Sequence, residues 1–286
     1  MPLRFLVIGY GRVGRAVALS LKSRGHVVDA VDVKELRDDV LDKIYVIDAS
    51  RDPHAIAEIA KKYDCACGCL PGGLGYKLMK AFAERGGKLV DVSFTRENPL
   101  TLSSKAEESK ALIIPDCGIA PGLSNMIIGL LTRRLDIIEE AEVKVGGLPV
   151  NPKPPLYHSC SWSIEDLLEE YVRTARYIEN HEIKELDPLS LRLTVKVCGF
   201  ELEAFPSNGL RTMLRLRDRV KSLRELTLRW KGHLDAIKSL RDLGFLSENK
   251  VNLNGIDVPI RMLTAKVLEK VMPRNDDMLL MEITVR

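Results

Sequence analysis

The chain has 286 residues, of which 45% are hydrophobic, 29% charged and 5% aromatic, with a net charge of +3. That length is enough for two domains sharing an interface, and the composition is that of a soluble globular protein. The 43 basic and 40 acidic residues are spread along the chain, which argues against a nucleic-acid or membrane surface.

The first 32 residues are the most informative. A strand-like run, Leu3 to Ile8, leads into Gly9-Tyr10-Gly11-Arg12-Val13-Gly14; a helical pattern follows to Arg24, and a second apolar run ends in Asp32. Strand, glycines, helix, strand and terminal acid in that order form a dinucleotide-binding fingerprint in its required context. Gly9 permits the tight turn, Gly11 lets the backbone approach a pyrophosphate, and Gly14 lets helix and strand pack closely. The helix N-terminus offers N–H groups to the phosphates. A carboxylate at Asp32 suits both ribose hydroxyls of NAD and repels the 2′-phosphate of NADP, so NAD is the expected cofactor. Arg12 and Lys34 either reach towards such a phosphate or are solvated loop charges.

The next elements keep a strand–helix alternation up to residue 120. Strands are expected at 4–8, 27–31, 44–47, 65–70, 88–92 and 111–115, and helices at 13–24, 54–62, 75–85 and 102–109. Six strands in that rhythm make a doubly wound parallel sheet, whose ligands lie beyond the carboxyl ends of the strands. The turns there carry Asp48-Ala49-Ser50, Leu70-Pro71-Gly72-Gly73, Asp91-Val92-Ser93-Phe94 and Asp116-Cys117-Gly118. Cys65, Cys67 and Cys69 alternate along one strand while Cys117, Cys160 and Cys198 are scattered. Thiolate metal sites want C-x-x-C-like pairs, so no metal is expected.

After Gly122 the pattern changes. A helix at 123–135 precedes strands near 142–146, 192–197, 201–205, 225–230 and 278–285, with helices near 164–171, 210–220, 234–243 and 260–271. This grouping predicts a mixed, largely antiparallel sheet with helices on one face. The expected division is a nucleotide-binding domain at 1–120 and a substrate-binding and dimerisation domain at 121–286. The basic segment Arg211 to Arg224 reads as a solvated helix face, or as an anion patch. An extended sheet reaching Val285 leaves an edge that needs cover, which favours a homodimer. No apolar run reaches membrane-span length and no signal peptide precedes the first strand, so a cytoplasmic location is expected. Abundant Arg, Lys, Glu and Leu with few Gln and Asn point to a thermophile.

Longer motifs then narrow the reading. Ile114-Pro115-Asp116-Cys117-Gly118-Ile119-Ala120-Pro121-Gly122-Leu123-Ser124-Asn125, the Val145 to Pro149 and Pro152 to Tyr157 segments, Glu203 to Phe205 with Ser207, Gly209, Leu210 and Arg211, and Arg229-Trp230-x-Gly232-His233-Leu234 together resemble the L-lysine 6-dehydrogenases of the wider saccharopine dehydrogenase group. The resemblance implies a nucleotide-binding domain joined to an α/β domain that binds a small amino-acid substrate and forms a homodimer. It also implies NAD-dependent oxidation of the ε-amine of lysine to an imine, hydrolysis to the semialdehyde and ammonia, and cyclisation to piperideine-6-carboxylate. His158 stands where that family tends to carry tyrosine. Its members also continue beyond the last strand, whereas this sequence ends at Arg286. A saccharopine- or carboxynorspermidine-type dehydrogenase and a non-catalytic nucleotide-binding relative are the alternatives.

An amine gives up hydride from its neighbouring carbon only as the free base. An alkyl ammonium of pKa about 10.4 therefore pays roughly 4.6 kcal/mol at neutral pH unless a base or a dry pocket assists. The candidate proton acceptors are His233, His158, Asp91 and Asp116. Each histidine also fits a structural hydrogen bond, and each aspartate a helix cap. Arg211, after a glycine at a predicted helix start, suits the substrate carboxylate or a salt bridge to Glu203. Tyr157 and Trp162 fit the walls of an alkyl pocket or plain core. Cys117 beside Gly118 is best read as a small buried residue lining the site.

Overall fold

Leu6, Val7 and Ile8 have no exposed surface, and a strand buried on both faces needs cover on both. The computed structural model, which describes residues 1–159, 162–272 and 276–286, supplies it. The first unit, Met1–Leu123, contains β1 (Arg4–Ile8), α1 (Arg12–Lys22), β2 (Val27–Asp32), β3 (Lys43–Val46), α2 (Pro53–Ala60), β4 (Cys65–Gly68), α3 (Gly72–Arg85), β5 (Lys88–Asp91), α4 (Ser103–Glu108) and β6 (Leu112–Ile114). Val7 packs with Ala18 of α1, Val28 and Ala30 on one face. Leu6 and Ile8 point to the other, among Ile56 of α2 and Leu78 and Phe82 of α3, as the two-residue period of a strand requires.

Every pairing in this sheet is parallel, in the order β3-β2-β1-β4-β5-β6. The order reverses between β1 and β4. That reversal is the switch point at which open α/β sheets receive their ligands.

The second unit, Ser124–Arg286, takes over within α5 (Leu123–Leu131) and continues through β7 (Ile138–Pro149), α6 (Ile164–Glu169), β8 (Ala175–Glu179), β9 (Glu182–Leu186), β10 (Leu193–Val197), β11 (Phe200–Pro206), β12 (Val220–Arg229), α7 (His233–Asp242), β13 (Lys250–Leu253), β14 (Ile256–Pro259), α8 (Ile260–Val271) and β15 (Asp277–Val285). Its main sheet runs β10-β11-β12-β7-β15, with β8 joining β12 to β9. Only the β12–β7 pairing is parallel among the described residues, so the sheet is mixed and largely antiparallel. Side chains of α6, α7 and α8 form one apolar cluster with Phe205, and Leu148, Leu202, Ala204, Leu226 and Leu228 form another. The fold is α/β throughout, with a doubly wound parallel sheet followed by this second one.

Three local expectations change. The segment read as a helix at 210–220 is a 3₁₀ turn, Arg211–Asp218, after which Val220 already begins β12. Pairing of Val220 to Thr227 with Ile138 to Val145 outweighs helical propensity there. The basic run therefore does not form one solvated face: Arg211 is 9% exposed, while Lys221 and Arg224 pair with Glu139 and Glu142. Two hairpins, β8–β9 and β13–β14, occupy stretches where no strand was expected. Among the described residues no helix is long and apolar enough to cross a membrane.

Asp29, in the middle of β2, is 4% exposed; it accepts a hydrogen bond from the Tyr63 hydroxyl at 2.5 Å and lies 3.9 Å from Arg4. Removing a donor from a buried carboxylate costs roughly 1–3 kcal/mol. Urea unfolding of Tyr63→Phe should show a loss of that size; an unchanged midpoint would mean that Arg4 alone satisfies Asp29.

Candidate functional site

At the switch point, the chain leaves β1 through Gly9, whose φ of +88° belongs to the left-handed region. A Cβ on Gly14 would sit 2.0 Å from the Gly9 carbonyl oxygen, so no side chain fits where α1 crosses this turn. A Cβ on Gly11 would meet nothing within 4 Å. That open space, with α1 starting at Arg12 without a side-chain cap, is the cradle a pyrophosphate needs. Val13 is exposed on the same turn. Asp32 closes β2, its carboxylate accepting from the backbone N–H groups of Tyr10 at 2.8 Å and Lys34 at 3.0 Å. Burial, reinforced by Asp38, pushes the Tyr10 hydroxyl up to about 12. The residues present thus fit a dinucleotide cofactor.

The neighbouring turns are tied to one another. Asp48 accepts from the Ser50 N–H at 2.8 Å, and Ala49 is buried beside it. Leu70 and Pro71 lead into α3 at Gly72. The Ser93 hydroxyl donates to the Leu70 carbonyl at 3.0 Å, joining the turns after β4 and β5. Asp91 has no exposed surface and accepts from the Ser93 N–H at 2.8 Å; a Cβ on Gly68 would lie 2.0 Å from its other oxygen. Asp91 packs against Gly68 of β4 and braces the Ser93 turn.

Asp116 is 4% exposed with φ +56°. The next residue, Cys117, donates its N–H to the Asp91 carbonyl at 2.9 Å. Burial, with Asp116 second, pushes the Cys117 thiol up to about 11. Cys67 and Cys69 are pushed by burial to about 12. These thiols stay protonated. Gly118 accepts from the Leu123 N–H at 3.0 Å, closing a tight turn.

In the second unit, His233 opens α7 at 1% exposure. Its Nδ1 lies 2.6 Å from the Leu156 carbonyl; a carbonyl only accepts, so Nδ1 carries the proton. Nε2 then accepts from the Tyr171 hydroxyl at 2.7 Å. The same phenolic oxygen accepts from Arg229 Nε at 2.9 Å, while Nη1 donates to the Leu228 carbonyl at 2.8 Å and Nη2 to the Glu170 carboxylate. Burial above all, then Arg229, drives His233 down to about 3. Burial also pushes the Glu170 carboxyl up, against the pull of Arg229. Both nitrogens of His233 are thus engaged, and its ring is tied to the Leu156 carbonyl on one side and to Tyr171 on the other.

His158 is 3% exposed, its ring centroid 5.1 Å from that of His233. Burial, with Arg229 and His233 adding to it, takes its pKa well below the ordinary value. Tyr157 adopts φ +50° and lays its ring on Gly232, where a Cβ would fall 2.9 Å from Cε2. Trp162 is 41% exposed. Cys160 lies outside the described residues. Arg211 opens the 3₁₀ turn at φ +39°. Glu203 lies 3.4 Å from Arg192 Nη1 and 3.4 Å from the Leu234 N–H. Thus His158, His233 and Tyr157 come together, with Arg211 on a separate element. Tyr171, Glu170 and Arg229 were not singled out as site residues, because nothing in their spacing reveals that β12 and the end of α6 meet.

The fold and the glycine cradle define a dinucleotide-binding dehydrogenase-type architecture. Residues 5–114 match the saccharopine dehydrogenase NADP binding domain, and residues 118–286 the saccharopine dehydrogenase C-terminal domain. The chain belongs to the saccharopine dehydrogenase family. It is 22% identical over 237 residues to a saccharopine dehydrogenase [NADP(+), L-glutamate-forming] of Schizosaccharomyces pombe, covering 76% of this chain and 52% of that protein. Against an alpha-aminoadipic semialdehyde synthase of Arabidopsis thaliana the identity is 23% over 277 residues, covering 88% and 24%. The chain spans about half the length of the first of these relatives. The structure of apo saccharopine dehydrogenase (L-Glu forming) from Saccharomyces cerevisiae shares its fold, with a TM-score of 0.68 at 18% identity over 86% of this chain and 59% of that one.

His233, together with the equally buried His158, gives the second unit a pH signature. Its folded-state pKa of about 3 lies below the ordinary 6.5, so as pH falls the unfolded chain takes up the proton first. Stability is therefore full above about 6.5 and declines from there towards about 3, by up to about 1.4 kcal/mol per pH unit. The urea midpoint should fall between pH 7 and pH 5.5, above the range where ordinary carboxylates titrate. A flat midpoint would mean that neither imidazole is buried in its neutral form.

Proposed function

We propose that this chain is an NAD-dependent amine dehydrogenase acting on the ε-amine of L-lysine. One observation carries the cofactor half of the reading: Asp32, fixed by two backbone N–H groups beside the open space at Gly11. Lone pairs remain on its oxygens for ribose hydroxyls, and a 2′-phosphate there would meet a negative charge that cannot swing away. Membership of the saccharopine dehydrogenase family supports oxidation at a carbon bearing nitrogen. The motifs from Ile114 to Asn125 and from Arg229 to Leu234 favour a primary amine as substrate.

In this reading the glycine turn and the start of α1 bind the pyrophosphate, and Asp48, Ala49, Leu70, Pro71, Gly72 and Ser93 line the nucleotide end. When bound, the nicotinamide supplies the acceptor for hydride from the carbon bearing the amine. The resulting imine takes up water, releases ammonia and leaves the semialdehyde, which closes on its α-amine. Asp116, strained at the end of β6, is the candidate proton acceptor. Arg211, also held at positive φ, grips the substrate carboxylate, with Tyr157 and Trp162 of the same unit as candidate contacts of its alkyl chain; Cys117 and Gly118 are the candidate contacts in the first unit. The exposed edge of β15 supports pairing of two copies into a homodimer.

A second reading, a saccharopine-type dehydrogenase using NADP, is favoured by the name of the matched nucleotide domain and by the S. pombe relative. Calorimetry should give tighter binding of NAD than of NADP, and mixing with L-lysine at alkaline pH should produce NADH. Preference for NADP with turnover of saccharopine alone would establish the second reading instead.

Arg211→Lys keeps the charge and loses the fork. It should raise KM for lysine about tenfold or more with NAD affinity intact; wild-type constants in the folded variant would remove Arg211 from the site.

A further inference from the structure

Buried polar side chains are nearly always hydrogen-bonded, so an unpaired one calls for an explanation. His158 is 3% exposed and neither ring nitrogen has a partner. Its neighbour in space, His233, is as deeply buried with both nitrogens engaged. The contrast is between two imidazoles in one cluster, of which one serves the fold. Ser159, 6% exposed, likewise buries a hydroxyl without a partner. Both residues follow Leu156, whose carbonyl is pinned by His233, so the segment that carries them is held in place.

After burial, Arg229 is the main charge lowering the His158 pKa, and His233 adds in the same sense. A nearby guanidinium favours an anion over an ammonium, an effect that the Glu170 carboxylate paired with Arg229 offsets in part. A neutral imidazole N–H and the Ser159 hydroxyl are donors for a carboxylate.

We propose that His158 contacts the carboxylate-bearing head of the substrate, so that the site selects an amino acid over a simple alkyl amine. This rests on the amine-dehydrogenase reading. A carboxylate offers about four acceptor positions, so the His158 N–H can serve it without displacing other donors.

The test compares wild type with His158→Phe, His158→Leu and His158→Gln, using L-lysine and 1,5-diaminopentane, which has the amines but no carboxylate. The ratio of kcat/KM for lysine to that for diaminopentane should fall about 10- to 100-fold in the Phe and Leu variants, and less in Gln, which keeps a donor. At least one apolar variant, free of cofactor, should melt at or above the wild-type temperature, because an unpaired buried group has been removed. An unchanged ratio, or clear destabilisation of both apolar variants, would overturn the proposal. If wild type turns over neither amine, the functional reading fails but His158 is still judged by equilibrium binding of L-lysine, L-glutamate and diaminopentane to the NAD complex. Carboxylate-dependent binding that is lost in His158→Phe supports the proposal, and binding that is retained there or absent from wild type overturns it.

Discussion

A single buried cation organises the candidate site of the second unit. Arg229 is 2% exposed at the end of β12, and a guanidinium taken out of water must find partners for its donors or destabilise the fold by several kcal/mol. The chain provides a carboxylate from Glu170, a carbonyl from Leu228 and a phenolic oxygen from Tyr171. Each choice has a consequence further on. Tyr171 accepts from Arg229 and so turns its own proton towards His233, which fixes the imidazole tautomer and directs Nδ1–H at Leu156. The position of a loop backbone is thereby set by a charge several residues away in space.

The nucleotide end uses the opposite strategy. Backbone N–H groups open the start of α1, the Asp32 carboxylate is fixed beside them, and the shape comes from side chains that are missing. Gly14 allows the helix to touch the turn, while Gly11 leaves a gap. Asp91 and Ser93 lie behind this surface and bind the turns after β4 and β5 into one rim. Carboxylates at strand ends therefore have two distinct tasks here. Asp32, at the carboxyl end of β2, accepts from the turns on either side of it, and Asp91 is enclosed by Gly68 and the Ser93 turn.

The parallel sheet was legible because its signals are local: glycines at fixed offsets, apolar runs and an acid at the end of β2. The second sheet was legible in kind but not in detail. Asn254-Gly255, both at positive φ between β13 and β14, is a hairpin signal that can be read directly from sequence. It was missed because the flanking strands Lys250–Leu253 and Ile256–Pro259 are short and only partly apolar. The hairpin at Asn180-His181 was hidden in the same way by charged strands. The 3₁₀ turn at Arg211 could not be foreseen, since its alternative depends on pairing with Ile138 to Val145, more than sixty residues earlier.

Site residues divide along the same line. His158 and His233 look equivalent in sequence, each in a segment with family character and each able to titrate near neutrality. Burial removes that ability from both, and hydrogen bonding then separates them. A histidine with one nitrogen on a carbonyl and the other on a hydroxyl has no capacity left for a substrate, however central it is. One with neither nitrogen engaged retains all of its capacity and burdens the folded state until something fills it. In a buried polar cluster, the group with unused hydrogen-bonding capacity is therefore the better guide to ligand contact than the group with the most partners. Here that criterion favours His158 over His233.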